Sequence, residues 1–233
     1  VSRYYTLIAA LPDLPALTAR QELPLSRIAL DKRLTLLSEE DREQLDRVES
    51  LYHPPLTRVD NQPDQQRVLD WQRQLKEIKS PALRQLVEQR LEWQTLLAAL
   101  RSRDQSGSQP EHFYGSGRWT GFIRRHWQEP LFGLDATLPF LGELAKLHKK
   151  GASGDLEAAL NTYLWKELLF VERSFHFTLE TLVCYVLRFG LAEKHLQSNG
   201  EEALAAFHRM TEQLLASPTL SQPLDLAFEE ALR

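Results

Sequence analysis

Apolar positions along this chain recur mostly at three- and four-residue intervals, and no stretch alternates with period two over several strands. The longest apolar-rich segment runs from Tyr163 to Leu196. In its first half Leu164, Leu168, Val171 and Phe175 predict one amphipathic helix. After the aromatic break Phe175-His176-Phe177, Thr178 is placed to cap a second helix carrying Leu179, Leu182, Val183, Val186, Leu187 and Phe189. A helix apolar over most of its circumference needs neighbours all round, so residues 178–190 are expected at the centre of the fold.

The remaining pattern supplies the surrounding helices. Residues 4–11, YYTLIAAL, are apolar on all sides and read equally as a short buried strand or a first helix. Pro12, Pro15 and Pro24 mark a turn-rich crossover. Ser26 caps a predicted helix to Leu37 with Ile28, Leu30, Leu34 and Leu37 as its apolar residues, and Ser38 to Asp41 resembles a capping box for one bearing Leu45, Val48 and Leu51. His53-Pro54-Pro55 stops that helix, and residues 56–63 read as a loop. Asp64 to Lys79 carries Val68, Leu69, Trp71, Leu75 and Ile78; Ser80 as cap and Pro81 then start a helix to about Arg103, making a helical hairpin. Residues 104–117 hold three glycines, three serines and a proline, the clearest linker in the chain. Further on, Asp135 to Lys150 predicts another helix, and Gly151 to Gly154 a turn. Asp155 is read as a cap, Asn199-Gly200 as a break, and the tail from Ser217 as two prolines before a short helix. The expected fold is all-α: packed helical hairpins in an N-terminal module 1–106, a linker 107–117 and a C-terminal module 118–233.

Composition narrows the functional classes. The 233 residues are 42% hydrophobic and 26% charged, with a formal net charge of -4, which argues against a dedicated nucleic-acid binder. The single cysteine, Cys184, falls in the most apolar helix, which excludes an intrachain disulfide and fits a reducing compartment. Apolar runs are far shorter than the roughly 18 to 20 residues that cross a bilayer, so direct membrane insertion is not expected. A soluble, cytoplasmic protein is the expectation, reaching a membrane only through partners.

Reactive chemistry is weakly signalled. The seven histidines form no metal signature. Glu172 and His176, one turn apart, are the single pair that a metal could bridge, against a plain surface histidine. His195 is placed near a helix carboxyl end, where the dipole alone explains it. Gly115-Ser116-Gly117 lacks the phosphate-loop spacing and reads as a hinge, and no serine lies in a GxSxG elbow. No catalytic residue, cofactor or metal ligand is assigned. Arg118, Trp119, Arg124, Arg125, His126 and Trp127 concentrate the residue types that protein interfaces favour. The same spacing of Trp119, Phe122, Ile123 and Trp127 also suits a buried helix face. Arg101 and Arg103 extend the basic rim or satisfy free carbonyls at a helix end.

Four phrases, YYTLIAALPDL, LSEED, EWQTLLAALRSR and WKELLFVERSFHFTLETLVCYVLRFGLAEK, together resemble a bacterial family encoded among V-type ATPase subunits. More distantly the chain is similar to the C-type subunit of V/A-type ATPases, named C in prokaryotes and d in eukaryotes. Glu92, Leu96, Leu97, Leu100 and Arg101 match the acidic, Leu-Leu-x-x-x-Arg phrase of that subunit's helical modules. Phe177, Leu182, Tyr185, Leu187, Leu191 and Glu193 are similar to the phrase that closes a module. The resemblance spans Tyr4 to about Leu196 and leaves room for about two modules where the usual C/d form has three. It implies a non-catalytic structural subunit that couples the central shaft to the membrane ring, with those ATPase subunits as partners. Arg101, Arg103, Arg118, Trp119, Arg124, Arg125 and Trp127 are then the candidate partner contacts. An assembly factor for the same complex and a small metal-dependent helical enzyme are the rival expectations.

Overall fold

A computed structural model of the protein describes residues 4–17, 22–53, 63–105 and 109–216, with side chains as far as residue 198. All regular structure among these residues is helical: α1 (Tyr5–Ala9), α2 (Arg27–Leu34), α3 (Glu39–Tyr52), α4 (Asp64–Lys76), α5 (Pro81–Arg103), α6 (Thr120–Arg125), α7 (Pro139–Lys149), α8 (Ser153–Arg173) and α9 (Leu179–Ala216). Short 3₁₀ turns occupy Pro110–His112 and Pro130–Gly133. Residues 4–11, open between strand and helix from their pattern, contain α1. The chain forms two compact units, Val1–Ala192 and Glu193–Arg233, so the expected linker at 107–117 lies inside the first of them.

Local chemistry sets most helix ends. Ser26 Oγ accepts from Ala29 N at 3.2 Å, and Ser38 Oγ from Asp41 N at 3.3 Å, each meeting an amide that the first turn leaves unpaired. Glu39, Glu40 and Asp41 sit in the first turn of α3, where carboxylates complement the macrodipole. Other ends differ from expectation. Ser80 stands at the N-cap of α5, but its hydroxyl donates to Glu180 Oε1 at 2.7 Å, a tertiary bond in place of a local cap. Ala152, not Asp155, is the N-cap of α8, and Asp155 lies within its first turn. The helix expected from Asp135 starts only at Pro139, and α9 continues through Asn199-Gly200 without a break. His195 is therefore mid-helix rather than near a carboxyl end. The loop at 56–62, residues 106–108 and the tail from Ser217 lie outside the described residues.

The core of the first unit is built around α5 and the first half of α9. Helix α5 packs against α3, α4, α7 and α8. Leu83, Val87, Leu91, Leu96 and Leu100 on it are each no more than 2% exposed. In α9, Leu182, Val183, Val186, Leu187 and Phe189 are fully buried, which bears out the enclosed central helix. Each such side chain contributes about 1.5 to 3 kcal/mol by leaving water. The expected apolar stripes hold at Leu30, Leu34, Leu45, Val48 and Leu51. They fail at Ile28 (82% exposed) and Leu69 (53%), which remain in solvent.

Buried polar side chains tie these helices together. Gln44 on α3 donates to Glu77 O at 3.2 Å and accepts from Lys79 N at 2.8 Å, so it pairs the backbone of the α4–α5 turn. Tyr185 Oη donates to Pro12 O at 2.9 Å, and His53 Nε2 lies 3.2 Å from Leu187 O. The latter contact requires Gly190, since a Cβ there would lie 3.0 Å from His53 Nε2. Both contacts hold the α9 surface against the crossover and the end of α3.

Candidate functional site

The candidate contact residues gather at the carboxyl half of α5 and along residues 113–127. What places them is a buried hydroxyl: Thr95 Oγ1 accepts from Ser116 N at 2.9 Å and donates to Ser116 O at 3.0 Å. Gly115 is needed because a Cβ would sit 2.3 Å from Thr95 Cγ2. Gly117 adopts φ +93°, and a Cβ there would sit 2.3 Å from Glu92 Cγ. The Gly115-Ser116-Gly117 segment, expected as a hinge, is thus a close seam against α5. Glu92 completes it, accepting from Arg118 N at 3.2 Å with Arg118 Nε 3.5 Å from its second oxygen.

This frame separates the seven residues into two groups. Arg118 keeps 70% of its side chain in solvent, Arg101 and Arg125 are exposed, and Trp119 is half-buried below the Arg118 guanidinium at 4.8 Å. These four offer accessible surface. The other three also make contacts within the fold. Trp127 is 3% exposed and packs between Phe113 at 5.4 Å and Phe132 at 5.7 Å. Arg124 Nε donates to Phe113 O at 2.8 Å, and its guanidinium lies 5.2 Å from the Tyr114 ring. Arg103 Nη1 donates to Glu129 O at 2.9 Å and covers the Phe132 ring at 4.6 Å. That contact steadies a left-handed turn in which Leu131 has φ +50° and Phe132 φ +57°. Such backbone is unfavourable by about 1 to 2 kcal/mol per residue and is held here by full burial of Phe132.

Two concavities open on different faces of α5. One of about 380 Å³ is lined by Arg101, His112, Tyr114 and Trp71. The other, about 70 Å³, is lined by Arg118, Trp119, Glu92, Tyr163, Glu167 and Arg90. Sequence reasoning missed Arg90. Its signal is a charge on the apolar stripe Leu86, Arg90, Trp93, Leu97. Burial lowers its pKa, while Nε donates to Tyr52 O at 3.1 Å. Burial likewise raises the pKa of the Tyr52 phenol. Arg90 Nη1 and Tyr52 Oη have no hydrogen-bond partner among the described residues.

Glu172 and His176, the pair weighed against a plain surface histidine, have different surroundings. Glu172 lies 2.6 Å from Arg188 Nη2, and His176 is exposed. Among the described residues no group of three or more His, Cys, Asp or Glu side chains is placed to hold a metal. Cys184 is fully buried, and burial pushes its thiol up to about 12, so a thiolate is disfavoured. No described helix is long and apolar enough to cross a membrane.

No family model, curated protein or solved structure matches this chain.

Proposed function

We propose that the protein is a non-catalytic structural subunit of a bacterial V/A-type rotary ATPase, similar to the C/d type, and that it couples the central shaft to the membrane ring. The observation that carries this reading is the arrangement of the phrase Glu92, Leu96, Leu97, Leu100, Arg101 on α5. Its leucines are enclosed in the core at 1%, 6% and 2% exposure, its glutamate fastens the 115–118 seam, and its arginine stays outside. The phrase thus builds a stiff helical module and leaves a basic and aromatic rim of Arg101, Arg118, Trp119 and Arg125. Stiffness suits a part that transmits torque, and such a rim suits contacts with acidic or carbonyl-rich partner surfaces. Its attachment to the membrane would run through those partners.

Affinity purification of tagged protein from native membranes tests the reading. Shaft and ring subunits of the rotary ATPase are expected to co-purify, with the protein stoichiometric in the active enzyme. Substoichiometric recovery would mark it as an assembly factor instead. The double variant Arg118→Glu, Arg125→Glu should lower recovery at least about tenfold, for a loss near 1.4 kcal/mol, with helical content unchanged. Recovery no better than from an untagged control would overturn the reading.

A further inference from the structure

The larger of the two concavities on α5 is walled by three pieces of chain. Asp64, Arg67, Val68 and Trp71 line it from α4 at intervals of three and four, which is one helix face. Gln94, Ala98 and Arg101 line it from α5 with the same spacing. The third wall is the segment from His112 to Gly115. Its volume of about 380 Å³ is that of a binding pocket, and its floor is open, since the short Ala98 is exposed.

The third wall carries backbone groups that the fold leaves unused. Residues 113–116 form neither helix nor turn, and Phe113 has φ -86° and ψ 122°. Arg124 donates to Phe113 O, and Thr95 Oγ1 meets both Ser116 N and Ser116 O. Tyr114 N and O, between them, have no hydrogen-bond partner among the described residues. In extended backbone alternate residues turn these groups to the same edge, so Tyr114 presents its pair on the side that Ser116 turns to α5. That side is the groove. A free edge of this kind is a template for an added strand.

Charge selects the strand. Arg67 lies 3.6 Å from Asp64, so those two charges offset each other. Arg101 is exposed and makes no ion pair or hydrogen bond among the described residues. The lining therefore holds one carboxylate against two guanidiniums, an excess of positive charge. A guanidinium is suited to a carboxylate, which it can hold through two parallel bonds. Trp71 and Tyr114, both half-buried, add the aromatic surface that protein interfaces concentrate beside arginine.

We propose that this groove receives an extended acidic peptide segment of a partner protein. One residue of the segment exchanges both backbone hydrogen bonds with Tyr114, an acidic side chain pairs with Arg101, and apolar neighbours cover Val68 and Trp71. The inference goes beyond the rotary-ATPase reading. It takes Arg101 from the rim but stands on the groove, and it holds for a partner from any complex.

Fluorescence anisotropy with the intact chain and a labelled, end-blocked pentapeptide, a central glutamate flanked by valines and then threonines, tests it. Saturable binding at one site per chain is expected. The same peptide with glutamine at its centre should bind about tenfold more weakly, the worth of a charged hydrogen-bonded pair. N-methylation throughout, which keeps the side chains and removes every backbone donor, should weaken binding at least as much. Arg101→Gln should cost the glutamate peptide about tenfold and leave the glutamine peptide unchanged. Ala98→Trp, which fills the floor, should abolish binding of both. Circular dichroism establishes that each variant is folded, and Arg101→Gln carries the test if Ala98→Trp is not. Four results would overturn the proposal: no saturation by about 1 mM peptide, N-methylated peptide bound as tightly as the parent, Arg101→Gln acting equally on both peptides, or binding untouched by folded Ala98→Trp. Each is measured on the isolated chain, so none of them bears on co-purification with shaft and ring subunits.

Discussion

Leu182 and Phe177 stand five positions apart in one apolar stretch, and the fold treats them oppositely. Leu182 is fully buried, whereas Phe177 is 36% exposed in a left-handed connection. Truncating Leu182 to alanine should lower stability by about 2 to 5 kcal/mol in denaturant melts, through lost transfer energy and the void left behind. Phe177→Ala should change it by less than about 1 kcal/mol, since an exposed ring gives little up. Equal effects would show that α9 is not enclosed as described. The Ser80–Glu180 bond supports a prediction with a pH signature. Burial alone would raise the Glu180 carboxyl, but hydrogen bonds led by Ser80 outweigh it and hold the pKa below the usual glutamate value. A depressed folded pKa contributes stability above the unfolded value, and that contribution is lost as pH falls through the folded one. Ser80→Ala should therefore destabilise by roughly 1 to 2 kcal/mol at neutral pH, with the gap closing in acid below both values. A gap that stays constant in parallel melts would mean that the bond is not to a carboxylate. At this scale sequence was least informative: Ser80 and Pro81 were legible as a helix start, yet the hydroxyl's partner lies 100 positions away.

Elements were more legible than their ends. Capping serines at Ser26 and Ser38 announced α2 and α3 because those bonds are local, closing within three residues. The α5 start was read from Ser80-Pro81 and its core face from leucine spacing. Glycine is ambiguous as punctuation. The pattern at Gly115 and Gly117 suits a hinge, but a missing Cβ there serves close approach to Thr95 and Glu92. Gly117→Ala should cost about 1 to 3 kcal/mol by overpacking against Glu92, measured as a fall in thermal midpoint. A neutral result would return the segment to a loose linker. Gly200, read as part of a break, lies within α9.

For the whole molecule, α5 packs against α3, α4, α7 and α8, while every residue from 182 to 192 in α9 is buried. Amides in both segments should exchange only through the largest openings of the first unit and show the slowest hydrogen exchange in it. Early exchange in α5 would contradict its place at the core. The candidate rim follows from the same packing. Arg101, Arg118 and Arg125 remain outside, while Trp127, two residues beyond Arg125, is drawn into contact with Phe113 and Phe132. A substitution at Trp127 should thus unfold the region rather than remove a contact, whereas charge reversal at Arg118 and Arg125 should leave folding intact.

Sequence by itself determined the helical class, the buried face of α9, the capped starts of α2 and α3 and the lack of a long apolar span, because each depends on spacing and on bonds that close within a turn. Tertiary structure decided which arginines face solvent, that the 113–117 segment is a seam, and that Glu172 answers Arg188 rather than His176. Those outcomes depend on contacts between residues distant in the chain, where periodicity carries no information and only the packing of one helix on another selects the partner.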